Sequence, residues 1–108
     1  METNTSPGCG WSQNHDDNCA WTQRLAAAAA KSGKKVGIYA STYMWTQIMG
    51  GADKCNKFMH LPLWYAHYDN VPNFSDYKAF GGWTTPGIKQ YKGTTASCGA
   101  SIDLNFKP

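Results

Sequence analysis

The chain has 108 residues, 14% of them aromatic and 16% charged, with a formal net charge of +3 at pH 7. Such a length supports one domain at most, and a closed eight-stranded (β/α) barrel needs at least about twice as many residues. The ten Lys and Arg are scattered, apart from Lys31, Lys34 and Lys35 near one predicted helix end. That excludes the clustered basic stripe of a nucleic-acid-binding domain, and no apolar run is long enough to span a membrane. Five Trp and six Tyr must leave many rings with polar edges toward water, a composition that suits stacking against sugars.

Met1 to Asn18 is rich in Thr, Ser, Pro, Gly, Asn and Asp and is predicted to be loop. It has neither the charged n-region nor the apolar h-region of a signal peptide. The four cysteines contain no C-x-x-C pair, so two disulfides are expected rather than zinc or redox chemistry, and with them an oxidising compartment. Asn-x-Ser sequons at Asn4 and Asn73 agree with secretion. A secreted-looking chain without a leader is expected to lack the N-terminus of a longer protein. Close spacing favours the pairs Cys9–Cys19 and Cys55–Cys98, although four cysteines allow three connectivities and the other two stay open.

Asp16, Asp17 and Asn18 are natural capping and first-turn residues, and Cys19 to Lys31, with its alanine run, is predicted to be a helix that Gly33 stops. The small alanine surface is expected to lie close against a sheet. Val36 to Ser41 reads as a short strand, and Tyr43 to Met49 as a short helix ended by Gly50-Gly51.

Leu61 to Asp69, Leu-Pro-Leu-Trp-Tyr-Ala-His-Tyr-Asp, carries apolar or aromatic groups on both faces. It is expected to be a strand covered on both sides, as in a parallel sheet, with polar groups at its C-terminal end. The long segment from Asp69 to Thr85, with Phe74, Tyr77, Phe80 and Trp83, is expected to be a functional wall or lid. Gly87 to Lys92 reads as a strand, Gly93 to Gly99 as a turn, and Ala100 to Phe106 as a last strand whose alternation puts Asp103 on a polar face. The fold class is thus α/β, with about four parallel-type strands, one long helix and shortened later helices.

Four motifs in order then carry a resemblance: Val-Gly-Ile-Tyr-Ala-Ser, Leu-Trp-Tyr-Ala-His-Tyr-Asp-Asn-Val-Pro, Ile-Lys-Gln-Tyr and Ser-Ile-Asp-Leu-Asn, spread over residues 36–106. Together they resemble the C-terminal half of a glycoside hydrolase family 25 lysozyme of the eukaryotic secreted branch. The resemblance implies that residues 1–108 are the C-terminal part of a single modified (β/α) barrel domain, TIM-like and partial here, with its N-terminal strands missing. It implies cleavage of the β-1,4 bond between N-acetylmuramic acid and N-acetylglucosamine in bacterial peptidoglycan, without cofactor or metal. Secretion, or delivery to a lysosomal or phagosomal compartment, is implied for the full-length protein.

The family's acid signature is Asp-x-Glu. Glu2 matches its Glu and Met1 its middle position, so the Asp would stand one residue before Met1. The late-strand Asp maps to Asp103, and the cleft-lining aromatic and amide groups map to Tyr39, Tyr68 and Gln90. Glycosidic cleavage needs a carboxylic acid to protonate the leaving oxygen and a second carboxylate to stabilise the cationic centre or orient the N-acetyl group. With no strand ahead of it, Glu2 is expected to be poorly held. Two alternatives accompany the enzyme: a module that binds wall glycan without cutting it, and a half-barrel that associates with itself or a complementary chain through open sheet edges. His67 is expected to be a packed or surface histidine, His15 and His60 lack ligand spacing, and Trp45 and Trp83 are core or cleft wall.

Overall fold

A computed structural model describes residues 1–108. The first helix, α1, spans His15–Lys31, starting earlier than the alanine run indicated because Asn14 is the cap: its side chain accepts from the Asp17 N–H. Asp16 and Asp17 then occupy the first turn, where carboxylates meet the positive end of the helix dipole. Strand β1 is Ile38–Ala40. Ser41 caps helix α2, Thr42–Met49, by accepting from the Met44 N–H, and Gly50 ends it at a left-handed φ of 95°. Strands β2 (Leu63–Ala66), β3 (Ile88–Ser97) and β4 (Ala100–Phe106) follow.

The strands form one sheet in the order β1-β2-β3-β4, with β1, β2 and β3 parallel and β4 antiparallel to β3. A sheet of four parallel-type strands was the expectation; the last connection is instead a hairpin, since Cys98 and Gly99 both adopt positive φ, 50° and 75°, and close a two-residue turn between Ser97 and Ala100. The predicted turn over Gly93 to Gly99 is therefore mostly strand. β3 continues through it with register shifts between Gln90 and Lys92 and between Lys92 and Thr95.

One face of the sheet meets the core. Ile38, Ala40, Leu63 and Tyr65 pack against Trp45, Ile48 and Met49 of α2, together with Phe58, Phe80 and Trp83. Trp45 and Trp83 are both core residues, with ring centroids 5.2 Å apart. The segment after β2 thus folds Phe80 and Trp83 into the core, while Asp76, Tyr77 and Lys78 line a hollow beside α2.

The opposite face has no helix over it, which corrects the expectation that Leu61 to Asp69 is covered on both sides. Trp64 is 36% and Tyr68 59% exposed. The alanine-rich α1 packs chiefly on α2 instead of on the sheet. The buried Asn18 side chain joins the two, donating to the carbonyls of Ser12 and Ile48 at 2.8 Å.

A disulfide links Cys19 of α1 to Cys55, and Cys9 and Cys98 are free. The expected pairs Cys9–Cys19 and Cys55–Cys98 are not formed. Cys55 lies in the loop after α2, which α1 packs beside, whereas Cys98 sits exposed at the tip of the β3–β4 hairpin.

Candidate functional site

The open face is where the polar groups gather. Register puts Tyr39 beside Trp64, Ala66 beside Gln90, and Gln90 beside Asn105. The two-residue period of β4 then brings Asp103 to the same face as Asn105. Trp64 anchors this surface by donating from Nε1 to Asn105 Oδ1 at 2.8 Å, with its ring 4.7 Å from that of Tyr39 in an edge-on arrangement.

Gln90, only 5% exposed, ties the face together. Its Oε1 accepts from the Tyr39 hydroxyl at 2.6 Å and the Tyr68 hydroxyl at 2.9 Å, while its Nε2 donates to Asp103 Oδ2 at 2.9 Å. A carboxylate only accepts, so the amide nitrogen must face Asp103 and the oxygen the two phenols. The other Asp103 oxygen accepts from the Thr94 N–H at 2.9 Å. Thr94 sits at a left-handed φ of 52° within the irregular part of β3, which turns that N–H toward the carboxylate. Gly93 has a separate purpose: a Cβ there would meet the Tyr68 ring at 3.0 Å, so its absence lets the ring lie close over β3.

The structure thus joins four of the expected residues, Tyr39, Tyr68, Gln90 and Asp103, in one hydrogen-bonded group. Glu2 lies beside it. The N-terminal amine of Met1 donates to the Tyr39 carbonyl at 3.0 Å, and the Glu2 carbonyl accepts from Trp11 Nε1 at 2.7 Å. The backbone of Glu2 is therefore held at the edge of β1. Its carboxylate has one contact, from Ser6 Oγ at 3.4 Å, and is not part of the Gln90 group. The Tyr39 phenol is pushed above its ordinary pKa, first by burial, then by Tyr68, with the negative charges of Glu2 and Asp103 adding to the effect.

A second polar cluster was not visible in the sequence. Lys89, fully buried, donates from Nζ to both oxygens of Asp69 at 2.7 and 2.9 Å, to Asp76 Oδ1 at 2.7 Å and to the Val71 carbonyl at 2.9 Å. Tyr65 donates its hydroxyl to the same Asp76 oxygen at 2.8 Å, and His67 Nδ1 lies 2.6 Å from the other. Burial alone would raise the Asp76 carboxyl, but the bonds from Lys89, His67 and Tyr65 outweigh it and hold it at about 2. Asp69 is lowered as well, chiefly by its bond from Lys89. His67, Asp69 and Asp76 lie close enough to share a cation. The Lys89 ammonium already bonds both carboxylates, so the cluster has its cation built in. His67 is a surface histidine, its side chain 57% exposed.

Comparisons with known proteins place the chain in a family. The family model described as Lys-1, Lysozyme-like protein 1, matches residues 4–91. The chain is 44% identical over 95 residues to Probable GH family 25 lysozyme 2 of Dictyostelium discoideum, covering 88% of this chain and 43% of that protein. It is 45% identical over 102 residues to Probable GH family 25 lysozyme 3 of the same organism, covering 94% of this chain and 20% of that protein. The chain therefore spans less than half the length of these relatives. Its fold matches a muramidase from Acremonium alcalophilum with a TM-score of 0.71 at 20% identity, over 95% of this chain and 47% of that one.

Proposed function

This chain belongs to the glycoside hydrolase family 25 lysozymes, and on that premise we propose that its open sheet face is the sugar-facing wall of a peptidoglycan-cleaving site. The observation that carries the reading is the Gln90 side chain, which binds two tyrosines and a carboxylate from three other parts of the chain on one accessible surface. The four strands form part of a modified (β/α) barrel; parallel β1, β2 and β3 supply Tyr39, Tyr68 and Gln90 at or near their C-terminal ends, as in barrels generally, and antiparallel β4 adds Asp103 from its middle.

Cleavage breaks the β-1,4 bond between N-acetylmuramic acid and N-acetylglucosamine. Glu2 gives its proton to the leaving glycosidic oxygen as the bond from the anomeric carbon opens. Asp103, fixed by Gln90 and Thr94, offers negative charge to the oxocarbenium-like centre or orients the substrate's N-acetyl group. Water then adds to the anomeric carbon and returns a proton to Glu2. Tyr39 and Tyr68 present ring faces and anchored hydroxyls to the sugar. The disulfide supports action outside the cell or in a lysosomal compartment.

The test is digestion of purified bacterial peptidoglycan, with borohydride labelling and mass spectrometry of the new reducing ends. N-acetylmuramic acid ends are expected, with release falling about 10²–10⁴-fold in Glu2→Gln. Glycan binding with no new ends would favour the binding-module reading. Neither binding nor cleavage would overturn both.

A further inference from the structure

The two Asn-x-Ser sequons differ in how the fold treats their amides. In Asn4-Thr5-Ser6 the Asn4 side chain closes a ring with the backbone of Trp11: Nδ2 donates to the Trp11 carbonyl at 3.0 Å, and Oδ1 accepts from the Trp11 N–H at 2.7 Å. Such a paired contact uses the Nδ2 hydrogen that lies on the same side as Oδ1. A glycosylated asparagine carries its sugar in that position, so a glycan on Asn4 would have to open the ring. It would also stand against Trp11, whose Nε1 holds the Glu2 carbonyl.

Asn73-Phe74-Ser75 is arranged the other way. Asn73 Oδ1 accepts from the Ser75 N–H at 3.1 Å and from the Ser75 hydroxyl at 2.6 Å, which leaves Nδ2 without a partner in the chain. Asn73 and Ser75 are exposed, while Phe74 between them is half-buried, its ring 5.3 Å from that of Phe106 and 6.1 Å from that of Tyr65. The inward ring anchors the tripeptide, and its amide and hydroxyl stay in water. Lys89 ties this segment to the covered side of the sheet through Val71 and Asp76, so a bulky group on Asn73 stands clear of the Gln90 face.

We propose that Asn73 is a site of N-glycosylation and that Asn4 is not. The donor is an oligosaccharide linked to a polyprenyl diphosphate. Asn73 Nδ2 bonds to the anomeric carbon as the bond from that carbon to the diphosphate oxygen breaks, and the amide proton leaves with the lipid diphosphate. The inference rests on the secretory route read from the disulfide and goes beyond the cleavage site, since this sugar is carried covalently on another face.

The full chain, secreted from eukaryotic cells behind a cleavable signal peptide, tests it. Enzymatic deglycosylation in heavy-oxygen water marks each formerly glycosylated asparagine, and peptide mass spectrometry maps the label. Label is expected at Asn73 and none at Asn4. The gel shift on deglycosylation should be lost in Asn73→Gln and Ser75→Ala, and kept in Asn4→Gln and in Ser75→Thr, which retains the hydroxyl. Mapping on the parent chain does not depend on how the variants fold. Label at Asn4, with or without label at Asn73, overturns the selection between the sequons, and a secreted chain with no label at either overturns the site. Because the signal peptide supplies the route, these failures leave the lysozyme reading standing, and peptidoglycan digestion tests that reading separately.

Discussion

Lys89 and Gln90 are neighbours on β3, and the pleat sends them to opposite faces of the sheet, where each organises a separate polar group. Gln90 gathers Tyr39, Tyr68 and Asp103 on the open side. Lys89 pins Asp69, Val71 and Asp76 of the long segment after β2 on the covered side. Tyr68 stands immediately before Asp69, so the buried clamp also fixes the backbone that carries a ring of the candidate site.

Replacing Lys89 with Met strands two carboxylates against an apolar side chain. Asp69 and Asp76 retain 22% and 16% exposure, so the loss falls somewhat below that of a fully buried pair, at about 2–4 kcal/mol. Urea unfolding measures it, and a loss under about 1 kcal/mol would mean that aromatic packing alone holds the segment.

Gln90→Leu keeps the volume and removes all three bonds. Two phenols and a carboxylate lose their shared partner, for a loss of about 1–3 kcal/mol, and weaker glycan binding should accompany it. Unchanged stability and unchanged glycan affinity would show that the group does not organise this face.

Acid should weaken the fold through Asp76. Its folded pKa is about 2 against an ordinary 3.8, so the unfolded chain takes up the proton first as pH falls. The stabilisation is fully present above about pH 5 and is lost progressively as pH drops through 4 toward 2. In Asp76→Asn the urea midpoint should be lower at pH 7 and fall less between pH 5 and pH 2; a slope matching the parent chain would exclude Asp76 as the cause.

Breaking the bond between Cys19 and Cys55 frees a loop spanning a sequence separation of 36. Loop-closure entropy sets the cost at about 3–4 kcal/mol, visible as a lower melting temperature for Cys19→Ala under non-reducing conditions. Cys9→Ala and Cys98→Ala should leave melting unchanged, because neither thiol is bonded. A large shift in either would contradict the Cys19–Cys55 pairing.

Local patterns were legible where they were strong. The alternation of Ala100 to Phe106 marked β4 at its observed bounds, and Gly50 marked the end of α2. The meeting of Tyr39, Tyr68, Gln90 and Asp103 followed from placing motifs at strand ends. What depends on distant partners was not legible. Lys89 looked like one more scattered cation, because the aspartates that allow its burial lie 20 and 13 residues earlier in the chain. The cysteine pairing failed because spacing along the chain does not show that α1 lies beside the loop after α2. The open face of β2 was hidden by its aromatic residues, which read as buried although Trp64 and Tyr68 keep much of their area in water.

Asp103 takes its two bonds from the irregular stretch of β3, Gln90 at its start and Thr94 within it. Beyond Thr95 and Ile102 the ribbon out to Cys98 and Gly99 carries none of the site's groups. Length changes or a grafted sequence at its outer end are therefore expected to leave the two Asp103 bonds in place. A single residue gained or lost between Gln90 and Thr94 would instead swing the carboxylate away from the amide that holds it.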